Sequence, residues 1–188
     1  MELDDSVAGF IAPELSNDSR GGLVVKHGDY EVRWMILDRD WLVGLWTKLQ
    51  FYKSVFWAPE HFELENFITI LTQPGWLFFE VYKFGHLEGI VYFTNAAQLR
   101  EVQMHGVLFE RTLVDKAPLL KELIKWFFAD YPIERVEVAL VHKFRATMRF
   151  VERAGFKFEG IRRRAVVFRG RWANQHIYSV IREDLCQL

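Results

Sequence analysis

An α+β (mixed α/β) domain, built on a mostly antiparallel mixed sheet flanked by helices, is predicted by three features of this sequence. Short β-rich runs alternate with amphipathic segments along nearly the whole chain. Two β–α–β pieces, around residues 101–141 and 136–168, are long enough for helical crossovers, so the sheet is mixed rather than purely antiparallel. With 188 residues and 51% hydrophobic content, the chain has enough apolar material for one core without staples.

The first 22 residues mix acid, Ser, Asn and Gly without periodicity, and are read as a flexible acidic arm (1–22) ahead of a single domain (23–188). Glu2, Asp4, Asp5, Glu14 and Asp18 stand there against Arg20 alone. From Tyr30 the run Val32, Arg33, Trp34, Met35, Ile36 predicts a strand. Asp38 or Asp40 can cap a following helix that turns Trp41, Leu45 and Leu49 inward. Pro59 opens the next, from about Glu60 to Thr72, with Leu64, Phe67, Ile68 and Leu71 as its stripe and Gln73-Pro74-Gly75 as its stop.

Trp76 to Lys83 and Leu87 to Thr94 predict a hairpin around Phe84-Gly85-His86. A strand follows from Glu101 to Phe109. Alternation puts Val102, Met104, Gly106 and Leu108 on one face and Glu101, Gln103, His105, Val107 and Phe109 on the other, with Gly106 as a candidate bulge. Asp115 is placed to cap a helix carrying Leu120, Leu123, Ile124, Phe127 and Phe128. Val136, Val138 and Leu140 then alternate in a strand. Phe144, Thr147, Met148 and Val151 recur at helical spacing up to Ala154-Gly155, where glycine can take positive φ and end the helix. The strand from Lys157 to about Phe168 turns at Arg169-Gly170, and Gln175 to Ile181 returns as the last strand.

Composition excludes several classes of function. A single cysteine, Cys186, leaves no internal disulfide or Cys-based zinc cluster, and points to a reducing compartment. No apolar run approaches a membrane span, and no secretory signal is visible, so a cytoplasmic location and no membrane partner are expected. The six histidines show no metal-ligand spacing. The aromatic content is read as core packing. The formal charge of −1 hides a basic segment, residues 142–172, where ten Lys and Arg oppose Glu152 and Glu159. Arg162-Arg163-Arg164 would suit phosphate, yet strand alternation divides the triplet between two faces, and nucleic acid is not the expected partner. The acidic arm is the complementary surface, expected to order against a protein partner or a neighbouring copy.

The order Glu152-Arg153, Gly155-Phe156, Glu159-Gly160, Arg162, closing with Gly170, Arg171 and Trp172, resembles the C-terminal half of GNAT-family N-acetyltransferases, especially the branch that acetylates protein N-termini. The succession β, α, α, β, β, β, α, β, α, β, β across residues 30–185 is similar to the whole GNAT acyl-CoA N-acyltransferase fold. The resemblance implies acetyl-CoA as cofactor and an amine, possibly a protein N-terminus, as acceptor. It also implies that the strand from Glu101 lends backbone to the pantetheine arm through Leu108 and Phe109. The loop that serves pyrophosphate in such enzymes reads R/Q-x-x-G-x-G/A, and aligns with Arg111-Thr112-Leu113-Val114-Asp115-Lys116.

Val114 and Lys116 replace both glycines of that loop, and Asp115 as N-cap would put a carboxylate where an anion should bind. Phe144 stands where the family often keeps an asparagine, and Val151 where some members keep an acidic tyrosine. Lys116 could instead offer a cation to phosphate. His105 and Glu101, on one face of their strand, are the candidate general bases toward the acceptor ammonium, and either could equally be an ordinary strand polar residue. Weak or absent acetyl-CoA binding is expected. The other function compatible with these residues is a catalytically degenerate GNAT-like structural or interaction protein, similar to bacteriophage-encoded relatives tied to head assembly. The two strands starting near Glu101 and Ile133 are expected to be parallel neighbours that splay at their C-terminal ends.

Overall fold

The computed structural model describes residues 22–35, 37–52, 63–72, 75–94, 100–109 and 116–187. Residues 1–21, Pro59, Arg111, Val114 and Asp115 lie outside these residues; the expectation that Asp115 caps α3 needs correction, since Lys116 holds the N-cap position and no side chain makes a cap hydrogen bond there. The strands are β1 (Leu23–His27), β2 (Tyr30–Trp34), β3 (Leu77–Lys83), β4 (His86–Thr94), β5 (Glu101–Leu108), β6 (Arg135–Val141), β7 (Lys157–Phe168) and β8 (Arg171–Ile181). The helices are α1 (Arg39–Leu49), α2 (Leu64–Leu71), α3 (Ala117–Asp130) and α4 (Arg145–Arg153). One sheet holds all eight strands in the order β1-β2-β3-β4-β5-β6-β8-β7. Every neighbouring pair is antiparallel except β5 and β6, which run parallel. No helix among the described residues is long and apolar enough to cross a membrane.

Alternation along the strands divides the core between two faces. Phe79, Phe93, Val102, Met104, Val136 and Val138 face α3 and α4, which bring Leu120, Leu123, Phe127, Met148 and Val151. On the other face Phe78, Ile90 and Val107 meet Leu42, Leu45 and Leu49 of α1 with Phe67 and Leu71 of α2. The apolar stripes read from the sequence are therefore the buried ones, with Leu42 added. Asp38 does stand at the α1 N-cap, but its side chain makes no cap hydrogen bond. Gly155 takes φ of 104°, so the chain leaves α4 through a conformation that carries no penalty for a residue without Cβ.

Three other local expectations need correction. β1 was not foreseen: the run Leu23-Val24-Val25-Lys26-His27 is short and does not alternate strictly, and it forms a hairpin with β2 at the edge of the sheet, where Val24 and Val25 are half-buried against the core. β8 starts at Arg171, four residues before the sequence signal, because the two-residue turn Arg169-Gly170, with φ of 51° and 72°, closes a hairpin directly. Gly106 is not a bulge, since the β4–β5 register runs unbroken through the Val91–Gly106 pair. The bulge lies instead in β4, where Val81 pairs with Gly89 and Tyr82 with Leu87, leaving Glu88 as the extra residue.

Beside that bulge the backbones of β4 and β5 come unusually close. A Cβ on Gly89 would lie 2.4 Å from the Val107 carbonyl oxygen and 2.6 Å from Leu108 Cδ2, and the carbonyl cannot withdraw without breaking the pairing. A Cβ on Gly106 would meet the Ile90 carbonyl at 3.3 Å, a contact that a small shift relieves. Gly89→Ala is accordingly expected to cost more than ~2 kcal/mol in chemical denaturation, and Gly106→Ala less than ~1 kcal/mol. Equal losses for the two variants would refute this account of the close approach.

Candidate active site at the fork of β5 and β6

β5 and β6 pair only through Glu101–Arg135, Val102–Val136 and Gln103–Glu137, although both strands continue for several residues. They part beyond that point, as expected for the two strands from Glu101 and Ile133. The Phe109 N–H donates to the Glu88 carbonyl at 2.7 Å, which places the hydrogen-bonding groups of the odd-numbered β5 residues toward β4. Those of Met104, Gly106 and Leu108 therefore face the gap, where β6 has already turned away.

The closed end of the fork is held by Arg135. Its guanidinium reaches Glu101 at 3.2 Å, Glu137 at 3.1 Å and Glu159 at 2.6 Å, so one side chain joins β5, β6 and β7. Glu159 also accepts from the Ser179 hydroxyl. Arg135, and after it Ser179, pull the Glu159 carboxyl down to about 2, and the Arg135 pKa rises in turn. Glu137 has its side chain only 4% exposed at the point where pairing ends, and its second oxygen accepts from Arg162 at 3.3 Å. Strand alternation had sent Arg162 and Arg164 to one face. A break in register after Arg162 removes that simple relation.

His105 lies two residues beyond Gln103 on the same face, half-buried, with its ring stacked on Tyr92 at 4.8 Å and its Nε2 hydrogen-bonded to Thr94 Oγ1 at 3.3 Å. Tyr92 stacks in turn on Phe78 and Trp76, so a ladder of rings crosses β3, β4 and β5. Burial pushes the His105 imidazole down to about 4 and the Tyr92 phenol up to about 12. His105 is thus neutral at pH 7 and accepts or donates hydrogen bonds without carrying charge.

Of the residues proposed for a cofactor, Leu108 ends β5 at the gap, while Phe109 is packed with the α1–α2 side of the core under Lys48 Nζ, 4.3 Å from its ring centre. Lys116 sits at the entrance of α3, but its side chain is 2% exposed and its ammonium meets Glu88 at 3.2 Å, over the Tyr30 ring. Phe144 is the N-cap of α4 and packs edge-on against Phe168 at 5.5 Å. Val151 is buried in the core. Glu101 is exposed and committed to Arg135. Glu137 and Tyr92 were missed by sequence reasoning. The available signal for Glu137 was a lone carboxylate within the apolar run Val136 to Val141, on the face opposite Val136 and Val138. No group of three or more His, Cys, Asp or Glu among the described residues could hold a metal ion.

The sequence matches the Acetyltransferase (GNAT) domain over residues 32–177, and the chain belongs to that family. Among solved structures it is similar to a ribosomal-protein-S5-alanine acetyltransferase from Vibrio fischeri, at 16% identity and TM-score 0.70, covering 86% of this chain and 97% of that one. It is also similar to a mutant of the spermidine N-acetyltransferase SpeG from Vibrio cholerae, at 11% identity and TM-score 0.71, covering 85% and 97%. A third likeness is to RimL, a ribosomal alpha-N-protein acetyltransferase in complex with coenzyme A, at 15% identity and TM-score 0.64, covering 85% and 98%. A search of curated protein sequences finds no match.

The depressed His105 pKa has a consequence for acid stability. An unfolded histidine titrates near 6.5, so below that pH the unfolded chain takes up a proton that folded His105 refuses until about pH 4. The stability that His105 contributes is complete above ~6.5 and falls as pH drops toward ~4, by on the order of 3 kcal/mol. Urea titrations from pH 7 to 4 should show His105→Gln losing less stability than the parent over this window. Parallel curves for the two proteins would mean that the ring is not held neutral by burial.

Proposed function

We propose that this chain is an acetyl-CoA-dependent N-acetyltransferase acting on a primary amine that enters the fork between β5 and β6. The observation that carries the reading is the inner edge of β5, where the main-chain groups of Met104, Gly106 and Leu108 turn toward β6 but pair with no strand among the described residues. An extended amide-bearing arm such as pantetheine fits such an edge by adding to it as a strand would. Bound there, acetyl-CoA supplies a thioester carbonyl open to attack by a neutral amine.

The acceptor ammonium is drawn by the polar face, where Glu101, Glu137 and Glu159 outnumber Arg135 and Arg162. Its proton must leave before the nitrogen can attack. Glu137 is the carboxylate at the branching point, and after accepting from Arg135 and Arg162 each of its oxygens retains a lone pair. His105, neutral and fixed by Tyr92 and Thr94, orients the amine as a hydrogen-bond partner rather than by taking the proton.

A second reading, a GNAT-like protein without catalysis, is favoured by the phosphate side of the site. The Lys116 ammonium is buried against Glu88, which neutralises its charge, and Phe144, packed on Phe168, has no polar group to offer phosphate. Both readings predict weak cofactor affinity, with a Kd for acetyl-CoA above ~100 μM by calorimetry. They part on turnover. In the enzyme reading, saturating acetyl-CoA and a free-amine peptide give CoA thiol release, and Glu137→Gln lowers kcat at least ~tenfold under conditions where circular dichroism shows the variant still folded, its melting temperature falling because Arg135 and Arg162 lose a buried anionic partner. Absence of thiol release across a peptide and polyamine panel would leave the non-catalytic reading in place.

A further inference from the structure

The arginine triplet of β7 is not the solvated strand face that simple alternation describes. Arg162 pairs with Gln175 and Val166 with Ala173, so Arg163, Arg164 and Ala165 stand together opposite Asn174 alone. Arg164 adopts φ of 49°, a left-handed conformation rare for a residue with a Cβ, and its N–H donates to Asn174 Oδ1 at 2.9 Å. The asparagine side chain thus replaces a ladder partner and fixes the bulge open. Arg163 and Arg164 are exposed and meet no carboxylate among the described residues, whereas Arg135 and Arg162 on the same part of the sheet are both paired. Beside them the hairpin end shows Val167 and Trp172, a cross-strand pair left 46% and 60% exposed.

The position of this bulge matters as much as its charge. Gln175 pairs with both Arg162 and Val141, which sets the bulge level with the C-terminal end of β6, at the open mouth of the fork. Two strand spacings, about 10 Å, separate β7 from β6 there, within the span of a few extended residues. The carboxylates around Arg135 make the fork suited to a cation, while the bulge beside it is suited to anions.

We infer that Arg163 and Arg164 read carboxylates of the acceptor, so that the substrate is an acidic peptide segment whose free amine enters the fork. This rests on the fork being the amine site. Guanidinium groups bind carboxylates through charge-assisted, often bidentate hydrogen bonds, and Trp172 with Val167 covers an apolar side chain of the same segment. A nucleic acid fits less well, because it brings no ammonium for the carboxylates of the fork and the hairpin end offers Trp172 rather than a succession of stacking platforms.

The test is fluorescence anisotropy with the full chain and no acetyl-CoA. The probes are two dye-labelled peptides of about ten residues with free amino termini, one carrying about four Asp or Glu and the other the matching Asn or Gln. The acidic peptide should bind at least ~tenfold more tightly, and the difference should shrink as salt is raised. Arg163→Gln with Arg164→Gly should abolish the difference, the glycine keeping the left-handed backbone without strain. Arg145→Gln with Arg149→Gln, on the exposed face of α4, should preserve it. Equal binding of the two peptides, an acidic preference that survives the bulge variant, or displacement of the acidic peptide by a lower concentration of oligothymidylate would overturn the inference. Thiol release without any acidic preference would sink this proposal and leave the fork reading intact, while acidic preference without thiol release would sink the catalytic reading alone.

Discussion

One guanidinium, that of Arg135, determines where the sheet may open. Parallel strands as short as β5 and β6 would ordinarily pair along their full length. Here pairing is anchored at one end by Arg135, which joins carboxylates from β5, β6 and β7, and it ceases two residues later at Glu137. The anchor is specific because one guanidinium makes charge-assisted hydrogen bonds to carboxylates from three strands. Past it, Val138 remains with the α3–α4 core while β5 keeps its register with β4, so each strand follows its own antiparallel neighbour. The gap results from two well-satisfied pairings that diverge, and needs no strained backbone of its own.

A second ion pair prepares the other wall. The bulge in β4 leaves Glu88 without a partner in β3, and its carboxylate meets Lys116 at the entrance of α3. Burying such a pair contributes little net stability, whereas losing one partner strands a charge in the core. The pair therefore acts as a locator, tying the first turn of α3 to β4 beside the end of β5. It has a chemical consequence, since the Lys116 ammonium at the helix entrance is already neutralised.

Much of the fold was legible because its signals are local. The stripes Leu120, Leu123, Ile124, Phe127 and the stop at Gly155 follow from helix periodicity and from glycine's freedom at positive φ, and both depend on near neighbours only. The hairpin at Phe84-Gly85 is legible for the same reason. β1 was not, because a short edge strand carries little alternation to read. The candidate site was legible only in part. His105 and Glu101 were placed on one face of β5 by parity, but Glu137, on a different strand far along the chain, could not be joined to them by spacing.

What the sequence by itself determined is the succession of elements, the faces they bury and the family they form, since these rest on periodicity and turn chemistry along one stretch of chain. Tertiary structure alone decided the use of the charges. Lys116 found Glu88 because a bulge aimed the carboxylate inward, His105 lost its affinity for a proton because Tyr92 and Thr94 closed around it, and Arg164 was turned outward by a bulge that Asn174 holds. The physical reason is common to all three: a side chain's charge state and partner depend on desolvation and on groups brought from distant strands, and neither is encoded in the spacing of neighbouring residues.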